Sequence, residues 1–271
     1  MILTALAQMA APSAPILVGL ALVVGLLRPA ASTAEIAPED KRSDIVLLSE
    51  AVRAMQADDT ANPGMLSVLD GEALWTAKPP SDAPACAGCH GEAAASMRGA
   101  AARHPAWNAA RAAPVDLAGQ INNCRETRQS LPPLPAESPG LLALTAFVAH
   151  QSRGMSITPA SGPGMAAARG RGEQLFTARL GQLNLSCAQC HDERWGQSLA
   201  GAPIPQAHPV GYPIYRLEWQ AVGSLQRRFR NCLTGIRAEP FPFGAPEFVD
   251  LETYLMDRAA GLRIESPAVR P

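Results

Sequence analysis

The sequence predicts a mostly α-helical protein built as two related halves in tandem, related by internal repeat and joined by long Pro/Gly-rich loops. Three observations carry this expectation. A Cys-x-x-Cys-His motif occurs twice, as Cys86-Ala87-Gly88-Cys89-His90 and Cys187-Ala188-Gln189-Cys190-His191, 101 residues apart. Each copy is followed by a solitary cysteine preceded by asparagine, Asn123-Cys124 and Asn231-Cys232, lying 34 and 41 residues beyond the motif histidine. Each half then closes with an amphipathic helix.

In chain order, residues 1–34 read as a signal peptide. The apolar run Pro15–Leu27 is shorter than the ~20 residues a membrane span needs, and Ala31-Ser32-Thr33-Ala34 offers small residues for cleavage after Ala34. No Lys or Arg precedes the run, and an uncleaved anchor is the alternative. The first domain then covers 35–155. Residues 40–58 form a helix with Ile45, Leu48, Val52 and Met55 at helical spacing. The first closing helix starts at Ser138 (cap) and Pro139 (first turn), buries Leu141, Leu144, Phe147 and Val148, and stops at Gly154. Pro159, Gly162 and Pro163 mark a linker over 156–164. The second domain covers 165–271. Gly172-Glu173-Gln174-Leu175-Phe176 is the helix leading into the second motif, and 246–261 is the closing helix, with Phe248, Leu251, Tyr254 and Leu255 on one face. No strand pattern is strong.

The formal net charge is -1, and removing 1–34 leaves 22 basic against 24 acidic residues. This excludes a polyelectrolyte partner such as nucleic acid. With the signal peptide removed, no membrane insertion is expected. Export places the six cysteines in an oxidising compartment.

Cys-x-x-Cys-His is the attachment signature of c-type haem. Two thiols three positions apart on a helical turn can bond both vinyl groups of one porphyrin, and the adjacent histidine faces the iron. The alternative, a zinc or redox pair that happens to precede histidine, fits two copies in an exported chain poorly. Cys86, Cys89, Cys187 and Cys190 are therefore expected to attach two haem c groups, with His90 and His191 as iron ligands, in two tandem cytochrome c-like domains. A bulky cofactor also suits a chain with 5% aromatic residues. For the sixth ligand, methionines show no matched placement in the two halves. His150 lies in a closing helix, and His104 and His208 precede prolines in what read as exposed loops. Cys124 and Cys232 are matched. Either each thiolate caps its own iron or the two form a disulfide. Bridging needs Cα atoms within about 7 Å, whereas equivalent positions in two haem domains are distant, so ligation is favoured.

The two lone cysteines differ in charge. Arg216, Arg227, Arg228, Arg230 and Arg237 surround Cys232, against Glu218 and Glu239. With 224–232 helical, Arg228 shares a face with Cys232 four residues on and is suited to hold a small oxyanion. Pairing with a haem propionate is its other reading. Arg227 and Arg230 point elsewhere. The position four before Cys124 is Gln120, so the first haem reads as structural or electron-relaying.

The segments Ser224-Leu225-Gln226-Arg227-Arg228-Phe229-Arg230-Asn231-Cys232, Arg237-Ala238-Glu239-Pro240-Phe241 and Asp250-Leu251-Glu252-Thr253-Tyr254-Leu255 resemble the SoxA cytochromes of the bacterial thiosulfate-oxidising Sox system. With both Cys-x-x-Cys-His motifs intact, the resemblance implies the dihaem branch. It implies L-cysteine S-thiosulfotransferase activity in the periplasm, as a heterodimer with the monohaem cytochrome SoxX. Thiosulfate would be joined oxidatively to a cysteine of the carrier SoxYZ, and electrons would leave through haem to an acceptor cytochrome c. By motif match it makes Cys232 a haem ligand carried as a persulfide, and Arg228 the catalytic arginine that binds thiosulfate. Rival readings are a non-enzymatic dihaem electron carrier, a dihaem peroxidase, and a structural subunit with Cys124 and Cys232 bridged.

Overall fold

The structure, a computed structural model, describes residues 36–80 and 82–271, so the expected signal peptide lies outside the described residues. Two 3-10 turns, Pro38–Asp40 and Asp44–Leu47, lead to α1 (Glu50–Ala57) and α2 (Met65–Thr76). The first motif forms α3 (Cys86–His90), followed by the short helices α4 (Ala93–Ser96) and α5 (Ala100–Arg103). A hairpin of β1 (Ala106–Asn108) and β2 (Ala113–Val115) then precedes α6 (Leu117–Arg128) and α7 (Pro139–His150). The second half repeats the order: α8 (Pro163–Thr177), the motif helix α9 (Cys187–His191), and a ribbon of β3 (Ser198–Leu199) and β4 (Ala202–Pro203). A hairpin of β5 (Ile214–Arg216) and β6 (Ala221–Gly223), then α10 (Leu225–Gly235) and α11 (Pro246–Arg258), complete it, and β7 (Ala268–Arg270) ends the chain. The mostly α, twice-repeated architecture is as the sequence predicts. The strands it did not show are two or three residues long, too short for a period-two pattern to register.

Each half is organised by one helix crossing, α2 on α7 and α8 on α11. Both crossings are made at glycine. A Cβ added to Gly71 would lie 2.2 Å from the Ala143 carbonyl oxygen, and one added to Gly172 would lie 2.1 Å from that of Asp250. Backbone therefore rests on backbone. The two glycines open one recurring pentapeptide, Gly71-Glu72-Ala73-Leu74-Trp75 and Gly172-Glu173-Gln174-Leu175-Phe176. The second copy is legible as a helix before its motif; the first, and with it α2, escapes the sequence reading although the spacing to the motif is the same.

Several expected elements differ in detail. Residues 40–58 are not one helix. Ser43 and Ser49 accept hydrogen bonds from Ile45 N and Val52 N and cap two separate pieces, because serine competes for nearby backbone amides. Helix α7 starts as expected, with Ser138 Oγ accepting from Leu141 N. It is buried all round, Ala143, Thr145, Ala146 and Ala149 included, since α5 and α6 pack on it as well as α2. Chain 156–162 is pinned to the second half by a Ser156–Arg263 bridge and by Ile157 N donating to Leu262 O. Helix α8 already begins at Pro163, behind Gly162 at φ 119°.

The N-terminal segment 38–57 packs on the second half. Gln206 bonds Arg42 N and Asp40 O, and His208 Nδ1 pairs with Arg42 O at 2.9 Å. His208 is therefore buried (8% exposed), not an exposed loop residue. Strand β7 pairs in parallel with β5. From it the buried Arg270 reaches Asp44 at 2.6 and 2.8 Å and Glu265 at 2.8 Å.

Between the halves lies a cavity of about 310 Å³, with Asp116, Glu137, Glu252 and His104 on its walls. His104, expected in an exposed loop, instead binds Ala100 O through Nδ1 at 2.8 Å. Asp116 caps α6 through Gly119 N at 2.6 Å and accepts from Gln226 Nε2 at 2.8 Å, tying the halves together. Glu252 has no hydrogen-bond partner among the described residues. Burial, and then Asp116, raise its carboxyl well above the ordinary value.

Two predictions follow from this packing. Gly71→Ala and Gly172→Ala must each push two backbones apart, so each is expected to cost about 1–3 kcal/mol, read as a lower melting temperature. A raised carboxyl favours its protonated form in the fold, so its contribution is full below the usual carboxylate range near ~4. That contribution is lost as pH rises through the raised value. Glu252→Gln is therefore expected to raise the melting temperature at neutral pH and to leave it unchanged at pH 4.

Candidate haem and anion site

The two motif helices are held differently. Helix α9 begins with a complete capping box: Ser186 Oγ accepts from Gln189 N at 3.2 Å, and Gln189 Oε1 accepts from Ser186 N at 3.0 Å. Two otherwise unpaired amides are thereby satisfied. Helix α3 begins at Ala85 with no side-chain cap and ends at Gly91 in a positive-φ turn. Cys89 and His90 are exposed, whereas Cys187, Cys190 and His191 are half-buried. In both halves an aromatic residue from the crossing helix lies against the motif histidine, with Trp75–His90 centroids 5.5 Å apart and Phe176–His191 centroids 6.5 Å apart.

His191 Nδ1 is hydrogen-bonded to Pro205 O at 2.7 Å. That bond fixes the tautomer and leaves Nε2 as the free ligand atom. Burial, with the Arg228 and Arg258 charges, lowers the His191 pKa to about 4, so the ring is neutral at neutral pH, as a metal ligand must be. Cys187 is pushed up to about 12 by burial and by Cys232 nearby. All six cysteines are free in the structure, with no Cys124–Cys232 bridge. Two unpaired thiols beside a neutral imidazole in the second half, and the same three side chains on α3 in the first, are a donor set that fits c-type haem.

The lone cysteines occupy the same place on equivalent helices. Asp116 caps α6 and Cys124 lies eight residues on; Ser224 caps α10, accepting from Arg227 N at 3.1 Å, and Cys232 lies eight residues on. A β-hairpin precedes each cap. In α6, Gln120 Nε2 donates to Cys124 Sγ at 3.4 Å, which shows that a side chain four residues earlier reaches the thiol. In α10 that position is Arg228, and 224–232 is helical as expected.

Arg228 opens onto a cavity of about 90 Å³ shared with Tyr212, Arg216, Arg270, Asp44 and Pro205, whose carbonyl orients His191. Its neighbours point elsewhere. Arg227 stacks on Trp219, 4.1 Å from guanidinium to ring centroid, and Arg230 stacks on Phe243 and bonds Phe241 O. Sequence reasoning missed Arg258. From α11 it makes a buried ion pair with Asp192 (2.5 Å; side chains 5% and 4% exposed) and stacks 4.7 Å over Phe176. The Asp that directly follows the second motif is the signal that marks it.

A family profile described as SoxA/TsdA, cytochrome c domain, matches twice, over residues 70–157 and 171–264. This chain belongs to the SoxA family. It is 36% identical over 219 residues to the L-cysteine S-thiosulfotransferase subunit SoxA of Pseudaminobacter salicylatoxidans, covering 80% of this chain and 77% of that protein. It is 33% identical over 233 residues to the SoxA subunit of Rhodovulum sulfidophilum, covering 86% and 81%. In three dimensions it resembles the crystal structure of SoxXA from P. pantotrophus with a TM-score of 0.81 at 29% identity, covering 84% of this chain and 86% of that one. The mostly α double cytochrome c fold and the haem c character of the site follow from membership of the SoxA family. Among the described residues no helix is long and apolar enough to cross a membrane.

The Asp192–Arg258 pair yields a test. Removing one partner of a buried pair leaves the other charge unmatched, at a cost of about 3–5 kcal/mol. Asp192→Ala is expected to lower the melting temperature accordingly, measured on holoprotein.

Proposed function

We propose that the chain is the thiosulfate-binding, dihaem subunit of an L-cysteine S-thiosulfotransferase, exported to the periplasm and paired with a SoxX-type monohaem cytochrome. The observation that supports this most is Arg228: a guanidinium without a hydrogen-bond partner among the described residues, on the wall of a cavity, one helical turn from Cys232, where the otherwise matching first half carries Gln120. Cys86 and Cys89 would attach haem 1, and Cys187 and Cys190 haem 2. His90 with Cys124, and His191 with Cys232, would hold the two irons. The haem would supply one-electron acceptance beside the sulfur chemistry.

The reaction couples a carrier cysteine to thiosulfate: RSH + S2O3²⁻ gives RS–S–SO3⁻, one proton and two electrons. One S–S bond forms, the two sulfurs are oxidised, and an acceptor cytochrome c is the final oxidant. The second electron calls for a partner haem, which the SoxX-type subunit would provide. The carrier would be a SoxYZ-type protein that presents the acceptor cysteine. Arg228 would hold the sulfonate by charge-assisted hydrogen bonds. Cys232 would hold reactive sulfur as a persulfide. A protein without this chemistry would be a dihaem electron carrier, and the two readings separate experimentally.

The mass of the unreduced peptide containing Cys232, from protein purified without thiols, is expected to carry one extra sulfur. Arg228→Ala in the complex is expected to lower thiosulfate-dependent cytochrome c reduction at least a hundredfold while leaving the haem absorbance spectrum unchanged. Full activity in that variant would leave the electron-carrier reading standing.

A further inference from the structure

Arg228 does not face its cavity alone. Arg216 enters from β5, with its side chain 12% exposed. Its Nη2 bonds Glu218 at 2.7 Å, at the solvent edge, while its Nε is buried and has no partner. The guanidinium is held in place from behind. It stacks 5.2 Å from the Trp219 ring centroid, and Trp219 lies across Gly223, where a Cβ would meet the indole at 2.4 Å. Arg270 also lines the cavity, but its donors go to Asp44, Glu265, Gln56 and Val269 O, and Asp44, the acid on the cavity wall, is spent on Arg270. Arg258 too leaves an Nε unpaired, yet lies against the faces of Phe176 and Tyr254 and lines neither cavity described above. Two guanidiniums with free donors are thus held together against their own repulsion, and burial and Arg228 both push Arg216 below its usual pKa. The space, about 90 Å³, equals some three waters at ~30 Å³ each, the scale of a small inorganic oxyanion.

We propose that Arg216 is the second guanidinium of the oxyanion site, and that the Arg216–Arg228 pair selects a doubly charged tetrahedral anion over singly charged ones. The inference rests on the reading that Arg228 binds thiosulfate. Two fixed charges match the dianion, and the buried Arg216 Nε–H would be satisfied by one of its oxygens, which a water or a monoanion does less well. Binding would also relieve the repulsion between the two cations, so the site is poorest when empty.

The test uses the assembled holo complex with Arg216→Met and Arg216→Lys. The Met variant is expected to raise the KM for thiosulfate at least tenfold with kcat within threefold, and Lys is expected to restore part of the loss. Independently of turnover, sulfate should raise the melting temperature of the parent complex and do so less in Arg216→Met, whereas nitrate should affect both alike. Unchanged KM and unchanged sulfate response in Arg216→Met would overturn the role of Arg216. Full thiosulfate turnover in Arg228→Ala would instead overturn the underlying reading. Should Arg216→Met fail to assemble, the Lys variant carries the same comparison, since it keeps the charge but lacks the Nε donor.

Discussion

Everything in this molecule is hung on one contact made twice, a glycine backbone pressed against the carbonyl of a crossing helix. At Gly71 on Ala143 and Gly172 on Asp250 no side chain separates the two helices. The consequence runs along the chain. Four residues after each glycine an aromatic ring points into the half's core, and fifteen residues after that ring the motif histidine meets it. Close approach of the helices sets the depth of the aromatic, and the aromatic sets the plane against which the imidazole rests. Close packing makes such a contact intolerant of an added methyl group.

On this shared frame the two halves diverge in ways that bear on chemistry. The second motif helix has a capping box, a histidine with a fixed tautomer and an arginine-lined cavity beside it; the first has an uncapped start and an exposed histidine. The N-terminal segment and β7 add a third layer to the second half alone, contributing Asp44 and Arg270 to its cavity.

What the sequence discloses here is what local rules govern. The repeated motif, the Asn-Cys pairs, the Ser138 and Pro139 helix start, and the placement of Arg228 one turn before Cys232 all follow from spacing along a single element. The departures have non-local causes. Pairing of β7 with β5 joins residues 54 apart, and the docking of 38–57 on the second half and the burial of His208 depend on contacts across more than 150 residues, as in His208–Arg42. Helix α7 looked amphipathic because its outer face is alanine and threonine, residues neutral enough to be buried without announcing it. The first glycine pentapeptide was legible in principle: Gly71 to Trp75 repeats Gly172 to Phe176, at the same distance from its motif.

The matched places of Gln120 and Arg228 have a consequence at the level of the gene. Glutamine and arginine codons can differ by a single middle base. A duplicated scaffold in which one side chain already touches the cysteine therefore stands one point mutation away from exchanging a neutral amide for a cation at that contact. Repeat architecture of this kind separates the conservation of a frame from the evolution of its reactivity. One copy can keep its structural duty while the other is free to change charge beside an identical sulfur.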